Sequence, residues 1–305
     1  MKTLVTGGAG FIGSHIVDAL IAKDHEVLVV DNLSTGNKNN LNPKAKFFKL
    51  DLTDKKLADI FNEQKPEIVF HLAAQIDVRK SVADPVWDAE QNILGSINLL
   101  ENCKNFGVKK IIFSSTGGAI YGEAETIPTP ETYLEKPISP YGIAKLAIEK
   151  YLYYYHQIFG LPYVILRYAN VYGPRQNAKG EAGVVAIFCD QLLKKKSPTI
   201  WGDGKQTRDY VYVGDVVLAN MLALESAKID TYNIGTSVET DVNQLAELIK
   251  NNIKDNIEIT HGPAKPGEQQ RSCLDYSKVK TELGWQPQVK LEEGIKETVA
   301  WFKSF

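Results

Sequence analysis

The run Thr6-Gly7-Gly8-Ala9-Gly10-Phe11-Ile12-Gly13 constrains this chain more than any other stretch. It follows a short apolar segment, Lys2-Thr3-Leu4-Val5, and leads directly into an amphipathic one at residues 12–23. Two glycine patterns overlap in it: G-x-G-x-x-G on Gly8, Gly10 and Gly13, and G-x-x-G-x-x-G on Gly7, Gly10 and Gly13. Between a strand and a helix, glycines at this spacing let a pyrophosphate lie against the positive end of the helix. Gly13 also lets the helix pack tightly on the strand. The rhythm continues through the first half. Segments 26–30, 47–50, 68–72, 111–113 and 163–166 read as strands, with a shorter one near 232–234. Amphipathic stretches at 88–106 and 141–159 lie between them. Nearly continuous apolar strands belong to a parallel sheet covered on both faces. The expected fold is therefore α/β, a Rossmann-like doubly wound parallel sheet with a smaller C-terminal lobe.

After Arg167 the pattern changes to short elements separated by Gly- and Pro-containing loops, with a last helix at about 292–302. The expected division is a dinucleotide-binding domain over 1–172, rejoined by about 209–235, with 173–305 mainly forming the substrate lobe. That lobe should cover the carboxyl ends of the strands, where open α/β sheets bind ligands.

Charge and cysteine usage remove several function classes. Among 305 residues, 35 Lys and Arg face 37 acidic residues, a net charge of −2. That balance gives no footprint for nucleic acid or an anionic membrane. Lys194-Lys195-Lys196 reads as the solvated end of a helix. Cys103, Cys189 and Cys273 are far apart, with no CxxC or Cys/His spacing for a metal, so they read as buried thiols of a reducing compartment. No stretch approaches the roughly 18 apolar residues of a membrane helix, and the expected location is cytoplasmic.

The second strand ends at Asp31, beside Asn32. A carboxylate there accepts hydrogen bonds from the adenosine hydroxyls and repels a 2′-phosphate. No arginine lies between Asn32 and Lys46 to welcome that phosphate, so NAD is expected over NADP. Asp51 and Leu52 end the third strand and either flank adenine or cap a turn. Leu72, Ala73 and Ala74 end the fourth, where small side chains suit the passage of the cofactor. His71 beside them reads as a core histidine.

Tyr141-Gly142-Ile143-Ala144-Lys145 places a phenol and an ammonium on one helix face. Ser139-Pro140 before it reads as an N-cap and first helical residue, putting Tyr141 in the positive first turn. Lysine, cap and helix end are all expected to lower the phenol pKa from about 10. Tyr151, Tyr153, Tyr154 and Tyr155 read as packing or subunit-interface residues. Ser114, Ser115 and Thr116 end the fifth strand, where hydroxyls can hold or relay a substrate proton.

Taken in order, the Gly-rich opening, Asp31, His71-Leu72-Ala73-Ala74, the Ser-Ser-Thr loop, Tyr141/Lys145 and Arg167-Tyr168-Ala169-Asn170-Val171-Tyr172-Gly173-Pro174 resemble the extended short-chain dehydrogenase/reductase family. The resemblance covers essentially the whole chain and is strongest to the UDP-glucose (UDP-galactose) 4-epimerases. It implies tightly held NAD, a UDP-sugar substrate and a homodimer joined through 88–106 and 141–159. It assigns the hydroxyl that bonds the sugar 4-oxygen to Thr116. The loop is a residue longer than in many epimerases, which leaves Ser115 as the alternative. Asn92, Tyr168 and Val171 fall with the cofactor residues. The related dehydratases carry an Asp-Glu pair after the threonine and the decarboxylases a glutamate. Gly117-Gly118 stand there instead, which leaves reversible hydride transfer at C4.

For the substrate, the same resemblance implies that Arg208 grips the diphosphate, a task suited to a guanidinium fork. Lys265, Glu268 and Arg271 form a second diphosphate and ribose cluster. Asn170 bonds the phosphate or sugar, and Val184 begins a helix beside uracil. The position seven residues after Lys265 lines the pocket at the sugar 2-substituent. It falls on Ser272, or on Cys273 if the register is offset by one. Both side chains are small and would admit a 2-acetamido group.

Overall fold

The computed structural model describes residues 1–178, 183–254, 256–264 and 269–304. The chain begins β1 (Lys2–Thr6), α1 (Phe11–Ala22), β2 (Glu26–Asp31), β3 (Lys46–Lys49), α2 (Leu57–Gln64) and β4 (Ile68–His71). It continues α3 (Val78–Ala83), α4 (Pro85–Ala89), α5 (Gly95–Asn105), β5 (Lys110–Thr116), α6 (Gly117–Ile120), α7 (Pro140–Phe159) and β6 (Tyr163–Tyr168). The shorter elements follow: β7 (Asn170–Tyr172), α8 (Val184–Leu193), β8 (Thr199–Trp201), β9 (Thr207–Arg208), β10 (Tyr210–Tyr212), α9 (Val213–Glu225) and β11 (Asp230–Ile234). Last come β12 (Thr240–Asp241), α10 (Val242–Ile253), β13 (Thr260–Gly262), β14 (Arg271–Ser272), α11 (Ser277–Leu283) and α12 (Leu291–Lys303).

Seven strands form the central sheet in the order β11-β6-β5-β4-β1-β2-β3, every neighbouring pair parallel. Strand periodicity divides its apolar side chains between two cores. Leu4, Leu28, Val30, Val69 and Ile111 point to the face covered by α2, α5 and α7, against Leu57, Phe61, Leu99, Ile148 and Leu152. Their neighbours Val5, Val27, Val29, Phe70 and Ile112 point to the other face, against Ile16, Val17 and Leu20 of α1 and Val216 and Ala219 of α9. Each such side chain contributes about 1.5–3 kcal/mol by leaving water. This two-sided burial explains why the strands read as continuous apolar runs.

A third core, outside the sheet, joins α8, α10 and α12 through Phe188, Leu192, Leu245, Ile249, Ile295 and Val299. Chain direction reverses about β1, whose neighbours are β2 and β4. The crevice at the carboxyl ends of β1 and β4 is thus the topological switch point, where the glycine run sits.

Residues 88–106 are not one uninterrupted α-helix. Asp84 caps α4 by accepting from Trp87 N (3.0 Å), and a π-turn over Glu90–Leu94 separates α4 from α5. The wider turn carries Asn92 inward, 2% exposed, onto the backbone of Gln75. No helix among the described residues is long and apolar enough to cross a membrane.

Candidate active site

A cavity of about 610 Å³ opens at the switch point. Every residue that the sequence reading assigns to the cofactor lines it except Asn92: Gly7, Gly10, Phe11, Ile12, Gly13, Asp31, Asn32, Asp51, Leu52, Leu72, Ala73, Ala74, Ser114, Tyr141, Lys145, Tyr168 and Val171. Gly10 precedes α1 with no side chain capping the helix, so the first N–H groups face the cavity unclaimed. Gly7 has φ +70°, and a Cβ there would lie 2.7 Å from Ala73 N. A Cβ on Gly13 would lie 2.2 Å from Gly7 O. The glycines are therefore required by backbone packing as well as by ligand approach.

Asp31, at the end of β2, accepts from Ala9 N (3.0 Å) and Leu33 N (2.8 Å), which fixes its carboxylate at the cavity wall; burial pushes its pKa up. Below the cavity, Thr6 Oγ1 accepts from Leu72 N and Ala73 N, each at 3.2 Å, and lies 2.9 Å from His71 Nδ1. Burial pushes His71 down to about 3, so it is the neutral core histidine its sequence position suggests. These features fit a dinucleotide.

One cofactor assignment changes in detail, and another keeps both of its readings. Asn92 is occupied: Oδ1 accepts from Gln75 N (2.8 Å), and Nδ2 donates to Gln75 O (3.0 Å) and Asp88 Oδ1 (3.0 Å). It therefore shapes the cavity wall through Gln75 and does not line it. Asp51 does line the cavity, but its carboxylate is also a turn cap, accepting from Thr53 N (2.9 Å), Thr53 Oγ1 (2.8 Å) and Asn32 Nδ2 (2.7 Å).

The phenol sits where local sequence rules put it. Ser139 Oγ accepts from Gly142 N (3.1 Å), Pro140 occupies the first turn, and Tyr141 follows. A Cβ on Gly142 would lie 2.7 Å from Ala119 O, so glycine lets α7 close on α6. Lys145, 3% exposed, donates to Ser114 O at 2.7 Å, its Nζ lying 6.0 Å from the Tyr141 ring centre.

The electrostatics differ from the sequence expectation. Burial, then the Asp88 carboxylate, push the Tyr141 pKa up, not down. Burial also pulls Lys145 down to about 7, with Glu149 and Asp88 opposing. Burial of the phenol itself outweighs the cap and the helix end.

Strand alternation separates the candidate hydroxyls. Ser115 Oγ donates to Glu149 Oε1 at 2.6 Å, so its proton is committed away from any substrate. Thr116 Oγ1 accepts from Ala119 N (3.3 Å) as the cap of α6, which leaves its proton to donate. Ser115 thus supports Glu149, while Thr116 keeps a proton to give. Beyond Thr116, a Cβ on Gly118 would find Asn170 Oδ1 at 3.8 Å, Ser272 Oγ at 3.9 Å and Thr116 Oγ1 at 4.0 Å. These three polar atoms ring one small space. A Cβ on Gly117, by contrast, would lie 2.4 Å from Leu274 Cδ1.

Ser272 pairs with Arg208 across β9 and β14, with β12 on the other edge. Arg208 Nη1 bonds its neighbour Thr207 O (2.8 Å). Arg271 is engaged by Glu239 through two bonds, 2.9 and 2.5 Å, so phosphate would have to replace that exposed pair. Cys273 is buried, its Sγ 3.9 Å from Asp209 Oδ2, away from the ring of polar atoms. Val184 opens α8. Lys265 and Glu268 lie outside the described residues.

The sequence reading passed over Glu149, Asp88, Gln75 and Asp209. Glu149 had a signal, its i+4 spacing from Lys145. Asp209, 1% exposed, accepts from Thr236 N, Ser237 N and Leu274 N, and only the folded chain reveals that it anchors the segment carrying Ser272.

Comparison with known proteins agrees with this geometry. Residues 3–235 match the model of the NAD dependent epimerase/dehydratase family. The chain is 44% identical to the UDP-glucose 4-epimerase of Mycolicibacterium smegmatis, covering 100% of this chain and 99% of that protein. A crystal structure of the Thermotoga maritima UDP-glucose 4-epimerase with UDP-glucose is 53% identical and superposes with a TM-score of 0.98, covering 100% of this chain and 99% of that one. The Thermus thermophilus UDP-glucose 4-epimerase in complex with NAD is 47% identical, with a TM-score of 0.95 and 99% of each chain covered.

Proposed function

The chain belongs to the NAD dependent epimerase/dehydratase family, and within it we propose a UDP-hexose 4-epimerase that interconverts UDP-glucose and UDP-galactose. The observation that carries this reading is the placement of Tyr141, Lys145 and Thr116 over a dinucleotide cradle, with glycines where an eliminating acid would stand. NAD, when bound, supplies a hydride acceptor at the sugar C4 and returns the hydride without net consumption.

The protein's own residues do the rest. Thr116 donates its free proton to the 4-oxygen and orients it. Tyr141 takes the 4-hydroxyl proton as C4 becomes a ketone and gives it back when C4 is reduced from the other face. Charged Lys145 stabilises the phenolate in that step. Arg208, with Lys265, Glu268 and Arg271, anchors the nucleotide, and Val184 lies beside uracil. Binding energy placed on the nucleotide leaves the sugar free to turn, because only contacts that differ between ground and transition state change the rate. Ser272 and Asn170 border the sugar, and the small Ser272 side chain supports turnover of the N-acetylated pair, UDP-GlcNAc and UDP-GalNAc.

Residues 1–172, rejoined by about 209–235, form the cofactor domain in this reading, and 173–305 mainly the UDP-sugar lobe. A homodimer through 88–106 and 141–159 would cover exposed Leu94, Ile143, Tyr151, Tyr154 and Ile158. Three buried free thiols suit a cytoplasmic enzyme of galactose metabolism.

Incubating the purified protein with UDP-galactose tests the function directly. UDP-glucose should form while total NAD stays constant. Stoichiometric release of reduced cofactor would make the protein a dehydrogenase and refute the reading.

A further inference from the structure

One buried polar cluster behind the site is tied to it by its own hydrogen bonds. Arg167 of β6 donates from Nε to Glu149 Oε1 (3.0 Å) and from Nη2 to Glu149 Oε2 (2.5 Å) and Glu135 Oε1 (2.7 Å). Its Nη1 donates to Tyr121 Oη (2.8 Å), which in turn donates to Asn233 Oδ1 (2.9 Å). Arg167 and Glu149 are 3% and 4% exposed. Glu149 Oε1 also accepts from Ser115 Oγ. Glu149 lies one helical turn beyond Lys145 on α7, on the same face.

A buried ion pair is weak support for stability, since an apolar pair of similar volume often serves as well or better. This one joins three elements of the active site: α7 bears Tyr141 and Lys145, β5 bears Ser114 and Thr116, and β6 leads into Asn170. We propose that Glu149 is a positioning residue for the proton transfer at Tyr141: gripped by Arg167 and Ser115, its carboxylate registers α7 against β5 and β6 and so holds Lys145 in place beside Tyr141. The role rests on the epimerase reading.

Several other groups face Lys145. Asp88 approaches from α4, Ser114 O and the Phe113 ring from β5 (the ring centre at 4.7 Å), and neutral His71 from β4. Tyr141 shares its helix, and Arg167 on β6 is paired with Glu149. Only Glu149 and Asp88 add negative charge, and Glu149 opposes the discharge of Lys145 more strongly than Asp88 does.

The test is the pH profile of 4-epimerisation in the intact holoenzyme. Glu149→Gln keeps the shape but removes one negative charge, so the Lys145 titration moves to lower pH. The alkaline limb of kcat should shift down by about one pH unit, with KM changed less than about threefold. Glu149→Asp keeps the charge and should lower kcat while leaving the limb in place. If Glu149→Gln, which leaves Arg167 only Glu135 and Tyr121, prevents folding, Glu149→Met combined with Arg167→Met removes both charges of the pair and should lower kcat while leaving the limb in place. An active wild type whose limb is unmoved in Glu149→Gln or moved equally in Glu149→Asp, or a double variant with wild-type kcat, overturns the role. A wild type inactive on UDP-galactose overturns the epimerase reading and this role with it.

Discussion

Replacing Gly13 by alanine should strip the protein of its cofactor, and the structure sets the scale. The new Cβ would lie 2.2 Å from Gly7 O and 2.9 Å from both Gly7 C and Gly8 Cα. All three are backbone atoms, so no side chain can rotate away. The turn must retreat by roughly 1 Å, an overpacking that costs about 1–3 kcal/mol. It has nowhere to go: Gly7 is held by its bond to Val30 O (2.9 Å), and on its far side a Cβ would meet Ala73 N at 2.7 Å. Moving Gly7 O also breaks its bond from Gly10 N (3.0 Å), about 1 kcal/mol more. A cost of about 2–4 kcal/mol at the pyrophosphate turn corresponds to a loss of NAD affinity of about 30- to 1000-fold. The assay is NAD released on denaturing the protein as purified, together with its melting temperature. Gly118→Ala is the control, since its Cβ would meet nothing closer than 3.8 Å. It should keep NAD and melt like wild type. A Gly13→Ala protein with full NAD and an unchanged Tm would refute the reasoning.

Tyr141→Phe should lower kcat about 100- to 10,000-fold, the usual contribution of a positioned acid–base group, with UDP-sugar affinity by calorimetry nearly intact; a wild-type rate would remove Tyr141 from the mechanism. Lys145→Ala removes the positive neighbour of a phenol already pushed up by burial, so the acid limb of kcat should move to higher pH, and an unmoved limb would show that Lys145 does not act on Tyr141. Ser272→Tyr should lower turnover of UDP-GlcNAc at least about 100-fold relative to UDP-glucose by filling the space beside Gly118 and Asn170. Equal loss of both reactions, or a wild type inactive toward UDP-GlcNAc, would place the gate elsewhere.

What could be read in the sequence was whatever depends on near neighbours in the chain. The parallel strands announce themselves because both of their faces are buried, and Ser139-Pro140 fixes the start of α7 because caps act within one turn. The π-turn over Glu90–Leu94 was not legible: nothing local demands it, and its cause is the bonding of Asn92 to Gln75 from another segment. The choice between Ser115 and Thr116 was legible in principle, since strand residues alternate faces, but its sense depends on Glu149 standing behind β5. The direction of the Tyr141 shift lay beyond the sequence. Spacing shows that a lysine is near, but not how deeply the phenol itself is buried.

The reaction class is decided by space as much as by chemistry. Of the two glycines after Thr116, Gly117 takes a side chain only if Leu274 turns away, because its Cβ would lie 2.4 Å from Leu274 Cδ1. Gly118 has room but faces Asn170 and Ser272, neutral groups that can border a sugar without titrating. Leu274 is fixed in turn, its N–H donating to the buried Asp209 carboxylate, which also accepts from Thr236 and Ser237. Leu274 therefore packs against the loop after β5. Under the proposed mechanism, Tyr141 takes a proton and returns it to the same oxygen, which supports inversion at C4 without elimination.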